Sequence, residues 1–275
     1  MNNTNSIDAI KRAANDIRID IIKSVYFAGS GHPGGSLSSA DILAVLYFHE
    51  MNINPDDPAK KDRDRFILSK GHACPVLYAA LAERGFFQKE ELWKLRSMDA
   101  MLQGHPSKKT TPGVEMSTGS LGQGFSSSIG MALAARMDGD GRVYTLLGDG
   151  ELDEGLVWEA AMAAGHYKLD NLCAILDWNG FQIDGKNEDV MKVTPVEEKF
   201  LSFGFHTILI DGHSITDIIN AFSEARNTKG KPTIIIAKTV KGKGVSFMEN
   251  EAGWHGKAPS KDEAAQALNE LGGEL

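Results

Sequence analysis

The chain has 275 residues, 42% of them apolar and 24% charged, which is enough apolar surface to bury a full core and too much for a disordered chain. A formal net charge of -8 argues against a nucleic-acid partner, because a phosphate backbone calls for a basic face; an anionic small molecule stays possible wherever local charge differs from the total. Only Cys74 and Cys173 are present, the N-terminus lacks the apolar stretch of a secretory signal, and no apolar run reaches the roughly 20 residues that span a bilayer, so a soluble cytoplasmic protein without a membrane partner is expected.

Helices are predicted over residues 8–28 and 38–51, the second with Ser38 and Ser39 as capping candidates ahead of an apolar pattern of period 3.6. Short β-branched apolar runs follow at 66–68, 143–147, 172–176, 207–210 and 233–237. Each is too short for a helix and most end in Gly or Asp, so they read as buried parallel strands. Ala-rich helical stretches at 124–137, 156–167 and 215–227 supply crossovers of the length a parallel sheet needs. The expected fold class is therefore α/β, doubly wound, with a mostly parallel sheet flanked by helices. The polar, helix-prone stretch 260–271 runs into Gly272-Gly273 like a finished C-terminus. No repeat, low-complexity tract or linker interrupts the chain, so residues 1–275 are expected to form one domain.

Chemistry concentrates after the strand at 143–147. That strand delivers Asp149 to its C-terminal end, Gly148 and Gly150 let a ligand approach the backbone, and the helix behind favours an anion: a diphosphate fits here. Thirty residues on, Asn179-Gly180 ends the next strand. Adjacent strands would bring Asn179 beside Asp149, and carboxylate, amide oxygen, backbone carbonyls and diphosphate oxygens together suit octahedral magnesium. Without that ion, Asp149 and the diphosphate would repel one another.

The run GDGELDEGLVWEA at 148–160, followed by LDWNGFQIDG at 176–185, resembles the thiamine diphosphate motif, and in detail that of transketolases. The resemblance implies that Asp149 and Asn179 ligate Mg2+ by side chain and Phe181 by its main-chain oxygen, with a backbone N–H of Gly150 on the diphosphate. It also extends to TGSLGQG at 118–124, which is similar to a family loop whose backbone meets the cofactor, here through Gly119, Ser120 and Leu121. Ser120 stands where that loop carries Pro.

Four histidines lie on Gly- or Pro-flanked loops, His32, His72, His105 and His255, and imidazoles on rigid loops suit proton transfer to and from sugar oxygens. Their settings, SGHPG, KGH, GHP and WHG, match the transketolase pattern. By that resemblance all four ring the ketose and the thiazolium, with His72 and His255 also near the cofactor. His49, His166, His206 and His213 lack such settings and are expected to be structural. Carboxylates at a helix start commonly serve its dipole. The family instead places the equivalents of Glu154 and Glu159 at a dimer interface that couples two active sites. Lys238, Thr239 and Asp153 stay open between diphosphate contact and mere strand or helix ends.

The resemblance runs from about residue 10 to about residue 260 and then stops. It implies transfer of a two-carbon ketol unit between ketose and aldose phosphates, carried out with a separate C-terminal subunit that bears the pyrimidine-binding domain, in a two-plus-two assembly. Two alternatives remain: a subunit of a 2-oxo acid dehydrogenase or deoxyxylulose phosphate synthase type enzyme, and a cofactor-binding module without turnover.

Overall fold

The structure is a computed structural model that describes residues 6–139 and 141–275; residues 1–5, part of the N-terminus read above for a leader, lie outside the described residues. The chain opens with α1 (Ile7–Ala28), capped by the Ser6 side chain, then α2 (Pro33–Leu37), α3 (Ala40–Val45) and a π-helical turn at Leu46–Glu50. Strand β1 (Arg65–Leu68) and α4 (Cys74–Glu83) follow, then α5 (Gln123–Asp138), β2 (Val143–Gly148), α6 (Gly155–His166) and β3 (Leu172–Trp178). A small antiparallel pair, β4 (Phe181–Gln182) and β5 (Gly185–Lys186), leads through α7 (Asn187–Val190) and α8 (Val196–Ser202) to β6 (His206–Asp211), α9 (Ile215–Asn227), β7 (Thr233–Lys238) and α10 (Lys261–Glu270).

The five long strands form one parallel sheet in the order β1-β2-β3-β7-β6. Core packs on both faces. One face carries Ile17, Ile21, Leu43, Tyr78 and Phe222 from α1, α3, α4 and α9, the other Phe125, Val157, Ala161 and Phe200 from α5, α6 and α8. Strand β3 is buried along nearly its whole length, as a central strand with helices on both sides must be, and each fully buried Leu or Ile contributes roughly 1.5–3 kcal/mol.

Two expectations need correction. The helix read over 38–51 is present but starts at Ala40 and turns π-helical over Leu46–Glu50: Ser39 sits at an N-cap position, but neither Ser38 nor Ser39 caps the helix with its side chain, because both hydroxyls are drawn to a buried carboxylate, Asp177. The strand expected at 207–210 is not buried either. β6 is an edge strand, with Leu209 half exposed, because among the described residues no strand pairs with its outer side.

Candidate functional site

All strands being parallel, their C-terminal ends share one edge of the sheet, where open α/β sheets bind ligands. The register Gly148↔Asp177 places Asp149 beside the residues that follow β3. Lys70 emerges just after β1, and the loop after β7 brings Thr239 and Lys241 to the same edge. A cavity of about 410 Å3 opens there, within the size range of cofactor sites.

Asp149 is buried, and its carboxylate accepts N–H donors from Gly150 (3.0 Å), Gly180 (2.6 Å) and the Asn187 carboxamide (2.9 Å). Three donors leave acceptor capacity on a carboxylate with about four lone-pair sites. Burial and the neighbouring Asp177 charge push its carboxyl up to about 6, so the site favours an added cation. Asn179 and Phe181 line the cavity with Asp149; the Asn179 amide oxygen accepts the N–H of Phe181 at 3.1 Å, and its NH2 faces Asp177 at 3.2 Å. The donor set is oxygen-rich, and among the described residues no cluster of three or more His, Cys, Asp or Glu offers a competing metal site. The Gly150 N–H, expected on the diphosphate, is held by Asp149 here. A side chain at 150 would also run into Gln182, with a Cβ only 2.8 Å from its Cβ, so the cradle requires glycine.

Three of the four histidines converge: the rings of His32, His72 and His255 lie 5.1–5.3 Å apart, centroid to centroid, on the cavity wall. Burial and surrounding cations keep all three neutral, pulling His32 down to about 4, His72 to about 2 and His255 to about 3. Arg96 is the largest charged influence on His32, Lys70 on His72 and Lys241 on His255. Among the described residues the buried Nδ1 of His32 has no hydrogen-bond partner. His105 stands apart. It is exposed and packs against Gly119 outside the wall residues, and burial with Arg96 holds its pKa low as well. Gly71 allows this junction to close, since a Cβ there would come within 2.8 Å of the Gly119 nitrogen.

Gly119, Leu121, Gly148, Gly150 and Glu154 line the cavity, while Ser120 and Glu159 are exposed and do not. Asp153 lines it too. Thr239 bonds Asp177 rather than the cavity, and Lys238 ends its strand exposed. Of the histidines expected to be structural, His206 bonds Glu224, and His213 joins Asp41 (2.8 Å) to the backbone N–H of Val240 (2.9 Å), steadying the loop that carries Lys241.

Sequence reasoning missed four buried charges. Lys241 lines the cavity and contacts His255 Nδ1 at 3.1 Å; burial brings its ammonium down to about 8 and leaves a cation facing the cavity. Glu151 accepts N–H groups from Gly122 (2.7 Å) and Gly148 (3.1 Å), tying the 118–124 loop to the end of β2. Lys70 and Asp177 form a buried ion pair at 2.5 Å. The KGH segment and the pair Lys238-Thr239 lie beside these lysines in the sequence, but nothing local distinguishes a lysine that turns inward.

The family model described as "Transketolase, thiamine diphosphate binding domain" matches residues 9–274. The chain is 45% identical over 263 residues to the 6-deoxy-6-sulfo-D-fructose transketolase subunit SqwG of Clostridium sp. (strain MSTE9), covering 95% of this chain and 96% of that one. It is 44% identical over 267 residues to the transketolase of Mus musculus, covering 96% of this chain and 42% of the mouse protein, so it spans less than half of that relative. The solved transketolase from Leishmania mexicana superposes with a TM-score of 0.91 at 35% identity, over 96% of this chain and 41% of the other.

Proposed function

From the premise that this chain belongs to the transketolase family through its thiamine diphosphate binding domain, we propose that it is the N-terminal half of a two-chain transketolase. Such an enzyme moves a two-carbon ketol unit from a ketose phosphate to an aldose acceptor. One observation carries the reading: three neutral histidines, an oxygen-rich acidic pocket and a buried lysine share a cavity at the C-terminal edge of a parallel sheet.

When bound, thiamine diphosphate supplies the electron sink that lets a bond beside the ketose carbonyl break. The chain's own contribution is binding and proton handling. Asp149, the amide oxygen of Asn179 and the carbonyl of Phe181 would hold Mg2+, and the Lys241 ammonium would face the diphosphate. His32, His72 and His255, held neutral, can each donate and accept one proton, which suits hydroxyl and carbonyl oxygens on a sugar. That crowd of imidazoles favours a sugar over a 2-oxo acid and so weighs against the dehydrogenase alternative.

The C-terminal partner would bring the pyrimidine-binding domain, and Glu154 and Glu159, both exposed, would lie near a twofold axis in a two-plus-two assembly. Two free, buried cysteines accord with a cytoplasmic location, and among the described residues no helix is long and apolar enough to cross a membrane. Calorimetry of thiamine diphosphate binding to the assembled enzyme tests the site. Asp149→Ala or a chelator should abolish tight binding, and unchanged affinity in either would remove the metal assignment.

A further inference from the structure

Asp177 belongs to no expected site, yet five donors converge on it. Its fully buried carboxylate accepts from Lys70 Nζ at 2.5 Å, Ser38 Oγ at 2.6 Å, Ser39 Oγ at 3.3 Å, Asn179 Nδ2 at 3.2 Å and Thr239 Oγ1. The donors arrive from the ends of β1, β3 and β7 and from the α2–α3 junction. The ammonium of Lys70 forms a buried ion pair with it, the other four groups also donate to it, and among the described residues no acceptor faces it, so the carboxylate acts as an anion that only accepts.

Resting on the metal site proposed above, we infer that Asp177 is a positioning residue that decides which end of the Asn179 carboxamide faces the metal. A carboxylate has no proton to give, so only the NH2 end of Asn179 can meet it. The amide oxygen is thereby turned to the other side, where the N–H of Phe181 donates to it at 3.1 Å, and the two contacts enforce one orientation. This matters because a hard dication binds the oxygen and is repelled by the NH2; an amide turned over would present two N–H groups to the ion and remove a ligand. The four other donors keep the Asp177 oxygens from rotating away.

The rule vanishes if residue 177 can both donate and accept. Asp177→Asn should therefore weaken magnesium-dependent thiamine diphosphate binding, read by calorimetry on the assembled enzyme, by roughly 10- to 100-fold, the usual loss when a partner behind a metal ligand is removed. Adding Asn179→Asp supplies an oxygen at either end of residue 179, so orientation ceases to matter and the double variant should regain most of the affinity. A purely structural role for Asp177 predicts no such rescue. Lys70→Met/Asp177→Asn, which removes cation and anion together, carries the same comparison with and without Asn179→Asp should the charged single variant fail to fold. Wild-type affinity in Asp177→Asn, or a double variant as weak as the single, overturns the inference. The Asp149→Ala control separates the two claims. Binding that survives it removes the metal site itself, whereas binding lost in Asp149→Ala without rescue at 179 removes only the role of Asp177.

Discussion

Lys70→Met tests how much of the site's architecture hangs on one buried ion pair. The lysine is 2% exposed and the carboxylate fully buried, so the substitution strands the Asp177 charge away from water. Deleting one partner of a buried pair costs about 3–5 kcal/mol. Ser38, Ser39, Thr239 and Asn179 still donate, which places the expected loss near the low end, ~3 kcal/mol. With an unfolding entropy of about 2.1 cal/mol/K per residue over 275 residues, ~3 kcal/mol lowers Tm by about 5 °C. The sign with pH is also fixed. In the wild type the folded carboxyl lies below its unfolded value, so its contribution is present above the unfolded pKa and lost as pH falls. Without Lys70, burial dominates and raises the folded pKa above the unfolded one, so the variant's deficit grows as pH rises. Scanning calorimetry of the cofactor-free chain at about pH 5 and about pH 8 should show the larger Tm gap at the higher pH. A Tm within about 1 °C of wild type at both, as an ordinary surface substitution gives, would refute the reasoning.

Other expectations follow from the histidine cluster. His32→Ala or His255→Ala should lower turnover more than cofactor affinity, since neither side chain contacts Asp149 or Asn179; steady-state kinetics beside calorimetry checks this, and wild-type kcat/KM would return that histidine to a structural role. Folded His32, His72 and His255 sit at about 4, 2 and 3, below the ordinary imidazole value of 6.5, so the unfolded chain binds more protons in that window and stability falls as pH drops below 6.5. Replacing all three with Asn should flatten that acid-side loss in thermal melts of the cofactor-free chain. Parallel curves would show that the cluster carries no such cost.

The sheet was legible because burial on two faces leaves a signature that does not depend on partners: β2, β3 and β7 are nearly continuous apolar runs that stop at Gly, Asp or Lys. The edge strand β6 reads like its neighbours because one exposed Leu209 hardly changes the pattern. Asp149 and Asn179 stood out because glycines flank them at strand ends, and the histidines because their loops are short and rigid. Asp177 and Lys70 did not, since each looks like an ordinary charge bounding a strand; only the parallel register brings residues 107 apart in sequence into contact. Ser38 and Ser39 misled for the same reason. A helix-capping signal is local, and here a long-range carboxylate outcompetes it.

The central claim, that this chain is half of a ketol-transferring enzyme, is most directly tested by a coupled ketol-transfer assay run on the chain, on its C-terminal partner and on their mixture. Activity from the mixture alone, from a complex whose scattering mass corresponds to two copies of each chain, is the predicted result. Robust turnover by this chain without a partner would contradict it.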